Sequence, residues 1–115
     1  MVGGGSAGAL GVYLNADHYR ERLDPKGVMK FSALPDGGFF MDLDEKGYHD
    51  GMAWIASAGG MNAVLHPACE AAHSGEGKGG GRELCMFAPH VAPFIQTPIF
   101  ALQVCRQNGA PFRHN

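Results

Sequence analysis

The run Gly3-Gly4-Gly5-Ser6-Ala7-Gly8 contains Gly-x-Ser-x-Gly at positions 4 to 8, the residue types of a nucleophile elbow. In such an elbow a serine sits on a sharp strand-to-helix turn, glycines keep side chains out of the crowded turn, and the hydroxyl is raised toward substrate. The chemistry would be acyl transfer, with the backbone N–H of Ala7 at the helix start as one oxyanion donor. The same residues admit two plainer readings, Ser6 as an ordinary helix N-cap or the glycines as an anion-binding nest. No Lys follows Gly8 as a phosphate-binding P-loop demands.

A second set of reactive residues is Cys69, His73, Cys85 and His90. A bridge between Cys69 and Cys85 would close a segment of about 17 residues and contribute about 3 kcal/mol in the chain-entropy account. The four side chains also supply enough nitrogen and sulfur ligands for a tetrahedral zinc, although the spacing is atypical, and free buried thiols are the third reading. Cys105 is left over, and His18, His49, His66 and His114 show no metal-ligand spacing. The acidic residues Asp42, Asp44, Glu45 and Asp50 lack the spacing of a calcium loop and read as a solvated loop.

These groups need elements to position them. Leu10, Tyr13, Leu14, Ala16 or Asp17, and Tyr19 to Leu23 recur at helical spacing, and Asp24-Pro25-Lys26-Gly27 ends the pattern, so a helix is expected over 7–23. Only Met1 and Val2 precede the glycines, too little to expect a buried strand that aims Ser6. Residues 28–34 read as a strand, and a helix followed by a strand favours an α/β layered fold. Ligands in such folds gather at the carboxyl ends of strands, which places Asp36-Gly37-Gly38-Phe39-Phe40 beside Ser6. Asp36 is a candidate for orienting a catalytic group or for a plain Asp-Gly turn, and Phe39 and Phe40 for a pocket lining or for core.

Further along, the pattern turns helical from Asp50, with Met52, Trp54 or Ile55, and Ala58, then Met61, Val64 and Leu65, and reads as two short helices broken by Gly59-Gly60. Residues 70–83 read as a glycine-rich loop, 86–95 as a short helix interrupted by Pro89 and Pro93, and 97–104 as a second strand. With 115 residues, 45% of them apolar, the chain suffices for one small core and not for two domains. A formal charge of −2 without a basic stripe gives no footprint for nucleic acid or an anionic membrane surface. No apolar run reaches membrane-spanning length, and no secretory signal opens the sequence.

Four ordered motifs resemble the pectin acetylesterases and Notum-type carboxylesterases. They are Gly5-Ser6-Ala7-Gly8, Gly11-Val12-Tyr13-Leu14-Asn15-Ala16-Asp17, Leu34-Pro35-Asp36-Gly37-Gly38-Phe39-Phe40-Met41-Asp42, and Cys85-Met86-Phe87 leading to Thr97-Pro98-Ile99-Phe100. The resemblance covers residues 2 to 103 and implies an α/β-hydrolase fold, a parallel sheet with flanking helices. It also implies cofactor- and metal-independent removal of an acyl group from an acetylated polysaccharide or other ester by a Ser-Asp-His triad. Ser6 matches the nucleophile, and Cys69 with Cys85 match a cysteine pair usual in the family, which implies a disulfide and a secreted or cell-wall protein.

The sequence departs from that pattern after Gln103. The family's aromatic-Asp turn is replaced by Val104-Cys105-Arg106-Gln107-Asn108-Gly109, no Asp follows Asp50, and the only histidine after that point is His114. The roles of triad Asp and His are therefore carried by no residue here. The expectation is a central part of an esterase domain over 1–104, a divergent tail over 105–115, and missing N- and C-terminal parts of the fold. Such a chain alone is expected to be marginally stable and without turnover, either a fragment of an enzyme or a non-catalytic binding relative.

Overall fold

A computed structural model of the protein describes residues 1–42, 46–57, 64–75 and 81–103. Residues 43–45, with Asp44 and Glu45, the segment 58–63, residues 76–80 of the glycine-rich stretch, and 104–115, with Cys105 and His114, lie outside the described residues. The chain opens with strand β1 (Val2–Gly5), followed without a linker other than Ser6 by helix α1 (Ala7–Leu23) and then by strand β2 (Ala33–Asp36). Strand β1 runs parallel to β2, with Gly4 opposite Pro35 and Gly5 opposite Asp36. This is a β-α-β unit, the α/β arrangement that a helix followed by a strand predicted.

A strand before the elbow was not expected, and the glycines themselves supply it. Gly3 packs with its Cα facing Leu34, where a side chain would meet the Leu34 carbonyl oxygen at 3.2 Å, so the glycine run lets two strands approach closely. The predicted strand over 28–34 is displaced to Ala33–Asp36. Its physical cause is Asp24, a buried carboxylate that ends α1 and accepts hydrogen bonds from the Val28 and Met29 N–H groups at 2.9 Å each. Those donors are lost to a ladder, and Val28 and Met29 stay exposed.

Residues 98–102 run alongside the other edge of β2, meeting it in parallel at two points, Ala33 with Ile99 and Asp36 with Leu102. Phe100 N–H donates to the Ala33 carbonyl and Leu102 N–H to the Pro35 carbonyl, both at 2.9 Å. The expected strand over 97–104 is thus present as two bridges, with Val104 outside the described residues.

Helix α1 buries Ala9, Val12, Tyr13 and Ala16, a stripe at three-and-four spacing. Val12 and Ala16 pack with Ala33 against Val2, Ile95 and Ile99, closing one side of the sheet. Tyr13 faces a second core built from Met52 and Ala56 on α2 (Lys46–Ala56), Cys69 on α3 (Pro67–His73), and Cys85 to Ala88 with Val91 around α4 (Ala88–Val91). The expected apolar face therefore differs in its last turn, where Tyr19 and Leu23 are exposed.

Helix α2 begins at Lys46, four residues before the helix expected from Asp50, and Gly47 hid that earlier start from a propensity argument. Residues 64–66 are not helical, contrary to the second of the two expected short helices, whose first residues are outside the described set. The polar stretch begun at Glu70 is likewise not all loop, since α3 and a 3-10 turn (Arg82–Met86) occupy its two ends. Arg82 joins them, donating to Glu70 and to the Ala56 carbonyl. The interrupted helix over 86–95 is α4 followed by a 3-10 turn (Ala92–Phe94), each carrying its proline in its first turn, where the missing N–H costs nothing.

Candidate active site

Ser6 occupies the single position between β1 and α1 with φ 53° and ψ −119°. It is the only non-glycine residue with positive φ among the described residues, and its side chain makes no cap hydrogen bond. An ordinary serine N-cap has extended backbone and a hydroxyl bonded to the first turn, so this geometry is different in both respects. A strained serine between a strand and a helix is the geometry of a nucleophile elbow, in which the turn lifts Oγ clear of the backbone.

The turn is held from several directions. Ser6 N–H donates to the Asp36 carbonyl at 2.8 Å, and the Ser6 carbonyl accepts from Ala9 N–H at 2.9 Å and Leu10 N–H at 3.3 Å. A Cβ on Gly4 would stand 2.5 Å from the Gly8 carbonyl oxygen, and one on Gly38 would stand 2.2 Å from Ala9 Cβ and 2.7 Å from the Ser6 carbonyl oxygen. Glycine at these two positions is therefore what allows the strand, the helix start and the Asp36-Gly37-Gly38 turn to meet. Of the four N–H groups that a helix start leaves without an intrahelical i−4 partner, that of Ser6 goes to the Asp36 carbonyl and that of Ala9 turns back to the Ser6 carbonyl, which leaves those of Ala7 and Gly8 as the donors at the helix start. That end of the dipole favours developing negative charge.

Asp36 is exposed and contributes its backbone carbonyl to this clamp. Phe39 turns inward, its ring edge-on to Tyr13 at 5.9 Å, and its N–H donates to Gln103 Oε1 at 3.0 Å. Phe40 lends its carbonyl to Ala88 N–H at 2.9 Å. Gln103, Asp36 and Ser6 thus stand at one end of three parallel segments, as the switch-point argument anticipates. Two clefts, of about 590 and 750 Å³, open elsewhere, along the middle and the C-terminal end of α1, and neither is lined by Ser6, Asp36, Phe39 or Phe40.

The described residues contain two Asp–His pairs, the exposed Asp42–His49 and the partly buried Asp17–His66, and neither is hydrogen-bonded to the serine. Asp17 Oδ2 lies 3.2 Å from His66 Nε2. Asp17 is eleven residues beyond Ser6 on the same helix, about 16 Å along its axis. Its carboxylate also accepts from the Gln96 N–H at 2.9 Å, the Thr97 N–H at 2.7 Å and the Thr97 hydroxyl at 2.6 Å. Burial pushes this carboxyl up, and the four hydrogen bonds outweigh it, holding it below the ordinary aspartate range. Asp17 accordingly seats residues 96–97 on α1, from which the bridging segment enters the sheet. A carboxylate on an otherwise apolar helix face was the sequence signal for this, because a charge there needs partners.

Ser6 Oγ makes no hydrogen bond to a histidine or carboxylate among the described residues. Tyr13, the largest fully buried side chain, has its hydroxyl without a partner among the described residues, and burial pushes its phenol up. The sulfurs of Cys69 and Cys85 stand 1.98 Å apart, at bonding distance, in the core beneath α3. His73 Nδ1 or Nε2 lies within 4.8 Å of both, and the ring of His90 is 5.4 Å from that of His73.

No helix among the described residues is long and apolar enough to cross a membrane. No curated protein matches the chain. Residues 1–107 match the family described as PAE, pectinacetylesterase, a match that covers the Ser6 turn, the Asp36 turn and the cysteine pair together and supports an esterase-type function. The chain belongs to the pectinacetylesterase family.

Proposed function

We propose that Ser6 is the nucleophile of an ester hydrolase that removes acetyl groups from an acetylated polysaccharide, in the setting of an α/β-hydrolase fold, and that the protein works in the secreted or cell-wall compartment usual for such enzymes. The observation that carries this reading is the positive φ of Ser6 at the β1–α1 turn, inside a match to a family of esterases. Strain of this kind costs about 1–3 kcal/mol and is kept where the surroundings over-determine it.

The reaction divides into two acyl transfers. Ser6 Oγ attacks the acetyl carbonyl while a base takes its proton, and the N–H of Ala7, with further donors, holds the oxyanion. The sugar oxygen leaves with a proton, the acetyl group remains on Ser6, and water then releases acetate. In this reading Asp36, Phe39 and Phe40 border the site. Cys69 and Cys85 serve as a disulfide staple between α3 and the turn before α4, and no metal takes part.

The second reading concerns residues 1–115 by themselves. No base is bonded to Ser6 among the described residues, and the Asp17–His66 pair is three helical turns away. A serine hydroxyl without such a base is a weak nucleophile, so these residues alone act as a non-catalytic, binding form of the site. One experiment separates the parts. Hydrolysis of 4-nitrophenyl acetate is compared for the folded chain and Ser6→Ala, with and without imidazole as an external base. Equal rates without imidazole and a faster rate for the parent chain with it are expected. Equal rates in both conditions remove Ser6 from the nucleophile role, and a Ser6-dependent rate without imidazole contradicts the non-catalytic reading.

A further inference from the structure

We infer that the Cys69–Cys85 pair becomes, when reduced, a tetrahedral Zn²⁺ site completed by His73 and His90. One ligand atom from each of Cys69, His73 and Cys85 already lies within 4.8 Å of the other two. A zinc held at 2.3 Å by sulfur and at 2.0–2.1 Å by nitrogen needs ligand atoms about 3.4–3.8 Å apart, so once the S–S bond is gone the two sulfurs must separate and the imidazole must close on them, movements within the reach of side-chain rotation.

The local sequence builds this convergence. Cys69 and His73 are four residues apart on α3, so they share one helix face. Cys85 enters from the 3-10 turn and His90 from α4, whose ring stands edge-on to His73 at 5.4 Å. Two elements, α3 and the 3-10 turn, therefore bring three ligand atoms together with both cysteines fully buried, and His90 stands beside His73 as the fourth ligand of the proposed site. Two thiolates and two imidazoles are the donor set that selects zinc over harder cations.

The step balances with a dithiol reductant. It gives two electrons and two protons, the S–S bond breaks to two thiols, and the reductant closes to its own disulfide. Zn²⁺ then displaces both thiol protons as it binds. Reduction frees the loop that the disulfide closes, and the metal would restore that constraint by joining α3, the 3-10 turn and α4 at one atom.

The test titrates residues 1–115 with Zn²⁺ against a chromophoric chelator, before reduction and after reduction with excess dithiothreitol followed by anaerobic desalting. The reduced chain is expected to take up one equivalent, the oxidised chain none, and Zn²⁺ to raise the urea midpoint of the reduced chain. Cobalt in its place should show thiolate charge transfer and the intense d–d bands of tetrahedral coordination. His73→Ala and His90→Ala should each weaken binding by more than the roughly 10–100-fold that outer partners of a metal ligand are worth. Absence of a stoichiometric uptake after reduction, octahedral cobalt spectra, or affinity unchanged in both histidine variants would overturn the site. None of these readouts depends on esterase chemistry at Ser6.

Discussion

The N–H of Ser6 donates to the carbonyl of Asp36 at 2.8 Å, tying the turn after β1 to the turn after β2. Both turns leave the same end of a parallel pair, so one hydrogen bond fixes the serine against the loop that carries Gly37, Gly38 and Phe39. The Ser6 carbonyl is held in turn by the first turn of α1, leaving its backbone little freedom to relax from positive φ.

Removing the side chain at that position should therefore reveal the strain. Ser6→Gly is expected to be more stable than Ser6→Ala by about 1 kcal/mol or more, because glycine adopts positive φ without the cost that any Cβ meets. Paired urea denaturation of the two variants checks this; equal midpoints would mean that the turn relaxes.

The glycines around the turn should divide by the space beside them. Gly38→Ala and Gly4→Ala place a Cβ against Ala9 or against the Gly8 carbonyl at 2.2 to 2.5 Å, and each should cost about 1–3 kcal/mol. Gly8→Ala meets nothing within 4 Å inside α1 and should be neutral or stabilising by up to about 1 kcal/mol. Urea midpoints for the three variants give the comparison.

Asp17 supplies a pH dependence with a definite sign. Its carboxyl is held below its ordinary value in the folded chain, so its contribution is present above the unfolded pKa of about 3.9 and is lost as pH falls through the folded value. Asp17→Asn should lower stability at neutral pH by about 1.5–3 kcal/mol, the worth of hydrogen bonds to a charged group, and flatten the stability profile in the acid range. Chemical denaturation between neutral pH and the acid limb measures both effects.

His49 should show the opposite sign on a smaller scale. The Asp42 carboxylate at 3.0 Å raises its pKa, against a small opposing effect of burial, so the pair stabilises the fold below about pH 6.5 and loses that contribution as pH rises through the folded value. In Asp42→Asn the imidazole should titrate lower, read directly from its ring proton shifts by NMR.

Much of this was legible before the structure. Helix α1 ran from Ala7 to Leu23 as its spacing and the Asp-Pro-Lys-Gly stop required, and the order of helix and strand carried the α/β arrangement. The family, too, could be read from four ordered motifs. Strand β1 could not, because three glycines carry no β propensity and the reason for them is the close approach of Leu34 and Gly8, a tertiary fact. Strand β2 slipped toward the C-terminus because the Asp24 carboxylate took the Val28 and Met29 N–H groups, and a capping bond of that kind leaves no periodicity to read. The helix expected from Asp50 is present as α2, but its first turn over 46–49 was hidden by Gly47, and the helix is held by Met52 and Ala56 in the core rather than by propensity. Asp17 was visible as a charge among apolar residues, but its partners lie 49 and about 80 residues away, beyond any local pattern.

The most direct test of Ser6 as an activated nucleophile is covalent. The folded chain, produced in an oxidising host, is incubated with an alkyl fluorophosphonate in the presence of imidazole and digested for mass mapping. The account predicts one phosphonyl adduct, on Ser6, with Ser57, Ser74 and Ser32 unmodified and no adduct on the Ser6→Ala chain. Modification spread over the other serines, or an unlabelled Ser6 in a chain shown to be folded, would contradict it.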